Sequence, residues 1–269
     1  VRKTYKTQLR DFFIAFHPFY QHRNGPRILC FHDIQNAQTF ERRIQWLLNH
    51  FEIVTLHTLL EQQGANQIAL TFDDAYQSWF SNLLPLLNRY NLPATFFVNS
   101  GLVGLEGQAM SRFYQKQCKR DPSGLEALSH DNLLILAANP QIEIGGHTKD
   151  HYLFSKNTSE SMAKAQIQED KNQLEAWTGR TIRYFAYPFG QVTHAPECVQ
   201  KIVEESGYQK AFSIVPGFVD TEKNPYFISR DSLELFQSER LWDRWLHGAY
   251  DELVLVKNKI YNTLSIPYR

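Results

Sequence analysis

The chain has 269 residues, 28 basic and 28 acidic side chains, and a formal net charge of zero. That length can bury one sizeable core, and the charge balance argues against nucleic acid as the main partner. The three cysteines, Cys30, Cys118 and Cys198, share no short spacing. That spacing gives neither a disulfide framework nor a CxxC metal site and mildly favours a reducing compartment, while leaving open a pairing of two of the three.

Residues 1–20 are basic first (Arg2, Lys3, Lys6, Arg10) and then aromatic (Phe12, Phe13, Phe16, Phe19, Tyr20). They lack the longer apolar core and small-residue cleavage site of a secretory signal, and no run approaches the roughly 18–20 apolar residues of a membrane span. A short helix packed on the domain is expected, with a surface-lying, peripheral membrane anchor as the alternative. The expected location is the cytoplasm or the inner membrane face. Residues 1–26 read as an extension and 27–269 as one domain.

Within that domain, strand-like runs cover 27–31, 52–55, 68–72, 94–99, 141–145, 183–187, 210–213 and 226–233. Helix-like runs cover 39–50, 77–90, 130–138, 159–177, 195–206 and 239–250. The run from 159 is the clearest, with Ile167, Leu174 and Trp177 on one face and Gly179 after its end. Short apolar strands separated by helices predict an α/β fold with a largely parallel sheet, closed as a barrel or open and doubly wound. Residues 101–129 are rich in glycine and charge without a clear period, and read as an insertion over the face where ligands bind.

Chemistry concentrates at the carboxyl ends of two strands, where ligands gather in such folds. The run Leu70-Thr71-Phe72 ends in Asp73 and Asp74. Two adjacent buried carboxylates raise each other's pKa, so one calls for a cation and the other for a proton to move. After Ile142-Glu143-Ile144, the segment His147-Thr148-Lys149-Asp150-His151 sets two imidazoles four residues apart. Two His and one Asp make a three-ligand metal site with an open position, which leaves the second Asp free as a base. Taken singly, each motif is more often an ordinary turn or helix cap.

Thr71-Phe72-Asp73-Asp74, His147-Thr148-x-x-His151 and Phe185-Ala186-Tyr187-Pro188-Phe189-Gly190 occur in that order, each after an expected strand. Together they resemble the signature motifs of the polysaccharide deacetylases, carbohydrate esterase family 4. The resemblance implies a distorted (β/α) barrel of about seven strands in a single domain, and metal-dependent removal of an acetyl group from a sugar. It assigns Asp74, His147 and His151 to a divalent metal and Asp73 to the general base. The backbone N–H of Phe189 would be an oxyanion donor, presented by a turn that Gly190 allows. Mixed nitrogen and oxygen ligation suits zinc best, with cobalt or nickel possible.

Two positions depart from the pattern. Family members carry an arginine where this chain has Ala186, and it orients the base. Arg230, in Ile228-Ser229-Arg230-Asp231, is the candidate to supply that guanidinium, with an ordinary surface ion pair as the competing role; Arg183 starts its strand and is the weaker choice. The family also ends on a strand carrying a Leu-x-His signature whose histidine is the general acid, whereas Leu246-His247 here falls in a helix-like run. His32, in Ile28-Leu29-Cys30-Phe31-His32-Asp33, fits better. That would move the strand from the end of the chain to its beginning, a circular permutation seen in the poly-N-acetylglucosamine deacetylase-like branch. Asp33 would orient the imidazole or cap the next segment. Tyr76, Trp79, Tyr152 and Phe154 are candidates for a substrate-contacting wall, Trp79 the least suited of them.

The expected activity is removal of an N-acetyl group from a bacterial glycan or a lipid-linked sugar precursor. The alternatives are hydrolysis of non-sugar amides at the same metal site, and a carbohydrate-binding relative that has lost turnover.

Overall fold

The computed structural model describes residues 21–251 together with Asp11, Phe12, Ile14 and Phe16. The rest of the basic and aromatic segment expected at 1–20 lies outside the described residues.

Seven parallel strands form one curled sheet. They are β1 (Arg27–Phe31), β2 (Glu52–Ile53), β3 (Gln67–Asp74), β4 (Ala94–Val98), β5 (Ile142–Gly146), β6 (Tyr184–Ala186) and β7 (Lys210–Phe212). The order is β1-β3-β4-β5-β6-β7, with β2 beside β3. The helices are α1 (Ala37–His50), α2 (Leu56–Gln62), α3 (Leu84–Tyr90), α4 (Gly107–Phe113), α5 (His130–Ala138), α6 (Glu160–Thr178), α7 (Glu197–Glu205) and α8 (Glu239–Leu246). The architecture is a distorted (β/α) barrel in a single domain.

A strand was expected over 226–233. The structure has instead two isolated bridges, Phe212 with Ile228 and Leu29 with Asp231. Hydrogen bonds from Ile228 N to Ala211 O and from Asp231 N to Ile28 O carry the segment from β7 across to β1. It spans the gap between the sheet's two edges without continuous pairing to either. The expected helix at 77–90 begins with a π-helical turn over Trp79–Leu83, and residues 101–129 hold α4 and a second such turn over Tyr114–Cys118. The helix α2 was not expected; seven residues carry little periodicity, and Thr55 caps it by accepting from Thr58 N at 3.0 Å.

Strand alternation divides the side chains between two surfaces. Leu29 and Phe31 of β1 with Leu70 and Phe72 of β3 pack outward among the helices. Ile28, Ala69, Phe97, Ala186, Phe212 and Ile228 fill the barrel interior, with Leu56, Leu59 and Leu60 of α2 against them. Two residues further on from Ile28, Ala69 and Ile228, the same parity places Cys30, Thr71 and Arg230 above that apolar plug. Asp231 takes the opposite face, where it pairs with Arg27 at 3.1 Å and accepts from Trp245 Nε1 at 2.8 Å.

Candidate active site

Asp73 and Asp74 end β3, and both are buried. Asp73 follows the inward parity of Ala69 and Thr71. Arg230 donates to both of its oxygens, from Nη1 at 2.7 Å and Nη2 at 2.6 Å, and is itself anchored to Thr71 Oγ1 at 3.1 Å and Ser213 O at 2.9 Å. Cys30 Sγ donates to Asp73 Oδ2 at 3.3 Å. Burial opposes ionisation of Asp73, but the Arg230 guanidinium and His147 outweigh it and hold the carboxyl below its usual range.

Asp74 breaks the strand with φ +94°, which turns its carboxylate toward the loop after β5. Its Oδ1 lies 3.2 Å from His151 Nε2 and 3.6 Å from His147 Nε2. Its Oδ2 accepts from Tyr76 Oη at 2.8 Å, so Tyr76 is a buried support of the carboxylate rather than a substrate-facing wall. Phe154 and Trp79 are also buried; Trp79 donates from Nε1 to His32 O at 3.0 Å.

The imidazoles are oriented from behind. His147 Nδ1–H donates to Ala186 O at 2.7 Å and His151 Nδ1–H to Gln117 O at 3.2 Å. A carbonyl oxygen only accepts, so each Nδ1 carries a proton, which in the neutral imidazole leaves the lone pair on Nε2, on the Asp74 side. Asp74 Oδ1 is buried and has no hydrogen-bond partner among the described residues. With both imidazoles neutral, three lone-pair donors converge and repel one another unless a cation lies among them. In the metal-free protein, against the cost of burial, the aspartates instead push the His147 imidazole toward its protonated form. The backing of both histidines by backbone carbonyls is the support that metal-bound imidazoles use. These residues fit a divalent metal.

The loop holding the histidines is strained and clamped. Thr148 (φ +64°) and His151 (φ +49°) both adopt left-handed backbone, which costs energy for a side chain with a Cβ and collects at functional sites. Asp170 of α6 accepts from His147 N at 3.0 Å and Ser100 N at 2.8 Å. Gln166, also of α6, binds Asp150 through its backbone and side chain at 2.9 and 2.7 Å. Asn99 Nδ2 donates to His147 O and to Thr148 O.

His32 follows β1 and is half-buried. Its ring nitrogen, Cys30 Sγ and an Asp73 oxygen all lie within 4.8 Å of one another. Burial, and next the charge of Arg120, push the imidazole down to about 4, so it is neutral at pH 7. Asp33 accepts from Ser78 Oγ at 2.6 Å, while Asn36 caps the next helix by accepting from Thr39 N at 2.8 Å. Phe189 has left-handed backbone at φ +59°, its ring lies 4.7 Å from that of His151, and its N–H has no acceptor among the described residues. The next residue, Gly190, is also left-handed (φ +44°), and a Cβ there would come within 2.7 Å of Ile214 N.

The remaining candidates are elsewhere. Arg183 pairs with Glu143 at 2.8 Å. His247 stacks on His22 at 3.8 Å, and the neighbouring Leu246 O accepts from Arg27, the first residue of β1, so it lies at the end of the barrel opposite the site. Asn99, Asp170, Cys118 and Arg120 were not anticipated at the site. Cys118 and Arg120 come from the stretch 101–129 that had no readable pattern.

A family model for polysaccharide deacetylase matches residues 61–211, which takes in the tandem aspartates, both imidazoles and the Pro188-Phe189-Gly190 turn. The chain belongs to the polysaccharide deacetylase family. It is a carbohydrate deacetylase, a hydrolase. The poly-beta-1,6-N-acetyl-D-glucosamine N-deacetylase of Staphylococcus aureus (strain MRSA252) is 26% identical over 219 residues, covering 77% of this chain and 70% of its own. The protein of that name from Staphylococcus epidermidis is 24% identical over 228 residues, covering 80% of this chain and 72% of its own. Among solved structures, IcaB from Ammonifex degensii superposes with a TM-score of 0.66 at 20% identity, covering 86% of this chain and 98% of that one. The Streptococcus pyogenes deacetylase PplD gives 0.65 at 16%, covering 83% and 99%. These likenesses share the fold. Among the described residues, no helix is long and apolar enough to cross a membrane.

Proposed function

We propose that the protein removes N-acetyl groups from a bacterial poly-N-acetylglucosamine-type glycan, using a divalent metal held by Asp74, His147 and His151. The observation that carries the reading is the orphaned Asp74 Oδ1, buried against two imidazole lone pairs. The ion, when bound, supplies polarisation of the acetyl carbonyl and acidifies a water. Zinc suits the donor set best.

The protein's own groups do the rest. Asp73, fixed by Arg230, accepts the proton of the attacking water. The Phe189 N–H faces no competing acceptor among the described residues and can donate to the oxygen that gains charge, a contact worth about 3 kcal/mol in comparable sites. Arg230, against the cost of burial, holds the Asp73 carboxyl below its usual range, which favours passing the proton on. His32, neutral and within 4.8 Å of Asp73, can take that proton and pass it to the departing amine.

The glycan assignment is supported by the names of the staphylococcal relatives. The test is acetate release from N-acetylated β-1,6-glucosamine oligomers, with small amides as competitors, alongside metal analysis. Asp73→Asn is expected to keep the metal and lose turnover, and His147→Ala to lose the metal. Near-normal acetate release by Asp73→Asn would remove the base assignment, and turnover of small amides alone would replace the substrate class.

A further inference from the structure

Building on that metal-site reading, we infer that Cys118 is a further donor to the same ion, a thiolate supplied by the segment that crosses the active-site face. Its Sγ, a carboxylate oxygen of Asp74 and a ring nitrogen of His151 all lie within 4.8 Å of one another. Donors sharing one zinc at ordinary bond lengths stand about 3.5 Å apart, so a small inward adjustment closes the set. Cys118 is buried, and its Sγ has no hydrogen-bond partner among the described residues. The second, independent sign is Asp74 Oδ1, buried and unpartnered on the same cluster.

The turn Tyr114–Cys118 serves the cluster twice. Gln117 O accepts from His151 Nδ1 and fixes that ring, and the next residue brings its thiol to the same Asp74–His151 cluster. Lys119 then leaves the turn in left-handed backbone at φ +56°. The other buried thiol is engaged elsewhere, with Cys30 Sγ donating to Asp73. Coordination breaks the S–H bond of Cys118, forms a metal–sulfur bond and sends the proton to solvent. A soft donor added to one oxygen and two nitrogens favours zinc or cobalt over magnesium or manganese. Zinc can take a fifth partner, so a fourth protein donor leaves room for substrate.

The experiment loads the full chain with Co²⁺, counts bound metal and records the near-ultraviolet spectrum. An intense thiolate-to-cobalt charge-transfer band is expected in the wild type, in Cys30→Ala and in Cys198→Ser, and its loss in Cys118→Ser. That variant should also yield its cobalt to a chelator at least about tenfold more readily. The chain has three cysteines, so a band that survives both control variants assigns the thiolate even if Cys118→Ser does not fold. Stoichiometric cobalt without the band, or with a band unchanged in Cys118→Ser, overturns the inference and leaves the three-ligand reading standing. A protein that binds no cobalt overturns both.

Discussion

Arg230 meets Asp73 fork to fork, Nη1 on Oδ1 and Nη2 on Oδ2, although the two residues are 157 positions apart. The pair closes over the apolar interior of the barrel, and the arginine comes from a segment that belongs to no strand. A planar guanidinium held at both ends fixes the plane of the carboxylate as well as its charge. Arg230→Met is therefore expected to cut turnover by about a hundredfold or more and to cost about 3–5 kcal/mol, because the buried carboxylate loses its partner. Arg230→Lys keeps the charge without the fork and should fall between. Acetate release and urea unfolding of the three proteins measure this; equal turnover in Arg230→Met and wild type would leave Asp73 oriented by something else.

The two candidate acids are separated by the length of the barrel. His32 sits by Asp73, whereas His247 stacks on His22 beside the start of β1. His32→Ala should lower kcat by about 10²–10⁴-fold. His247→Ala should leave kcat within a few-fold and act only on stability, through lost contacts with His22 and Phe51. The reverse order in kcat would return the acid to the end of α8.

Much of this site is readable in the sequence because its chemistry sits where strands end. Asp73, Asp74, His147 and His151 each follow an apolar run, and a parallel sheet brings such ends together. Alternation also separates Arg230 from Asp231, since Arg230 follows the inward parity of Ile228. What escapes is support that has no period. Asp170 lies on the buried face of α6, where a polar residue disturbs the helical pattern instead of marking a site. Cys118 and Arg120 belong to a stretch whose position is set by tertiary contacts, such as Leu128 N to Ala75 O. The segment 226–233 looks like a strand by its residues, yet it pairs at only two points because it must span from β7 to β1.

Gly146, just before His147, packs where a side chain has no room. A Cβ there would stand 2.2 Å from Tyr208 Oη and 3.1 Å from Asp170 Oδ2. Gly146→Ala is expected to cost about 1–3 kcal/mol and to weaken metal binding by shifting the loop. Tyr208 Oη is buried without a hydrogen-bond partner among the described residues, so Tyr208→Phe alone should be neutral or slightly stabilising. The double variant should recover part of the alanine's cost. Additive losses in denaturant titrations of the four proteins would show that the hydroxyl is not the obstacle.

Asp170 adds its own pH-dependent contribution to the stability of the metal-free protein. Burial pushes its carboxyl up from 3.8 to about 7, against the hydrogen bonds from Ser100 and His147. The folded state therefore holds the proton more tightly than the unfolded chain does. The contribution to stability is fully present below about pH 4 and is lost as the pH rises toward 7, by at most about 1.4 kcal/mol per unit. His32, held down to about 4, acts in the opposite direction over part of the same window, so the Asp170 contribution is read as the difference between wild type and Asp170→Asn in chelator-treated protein. Asp170→Asn carries no titrating group and turns an N–H toward the His147 N–H, so it should be less stable than wild type at pH 5, with the gap narrowing toward pH 7. Identical slopes for the two proteins across that window would mean that another group sets the dependence, and that Asp170 is charged in the folded state.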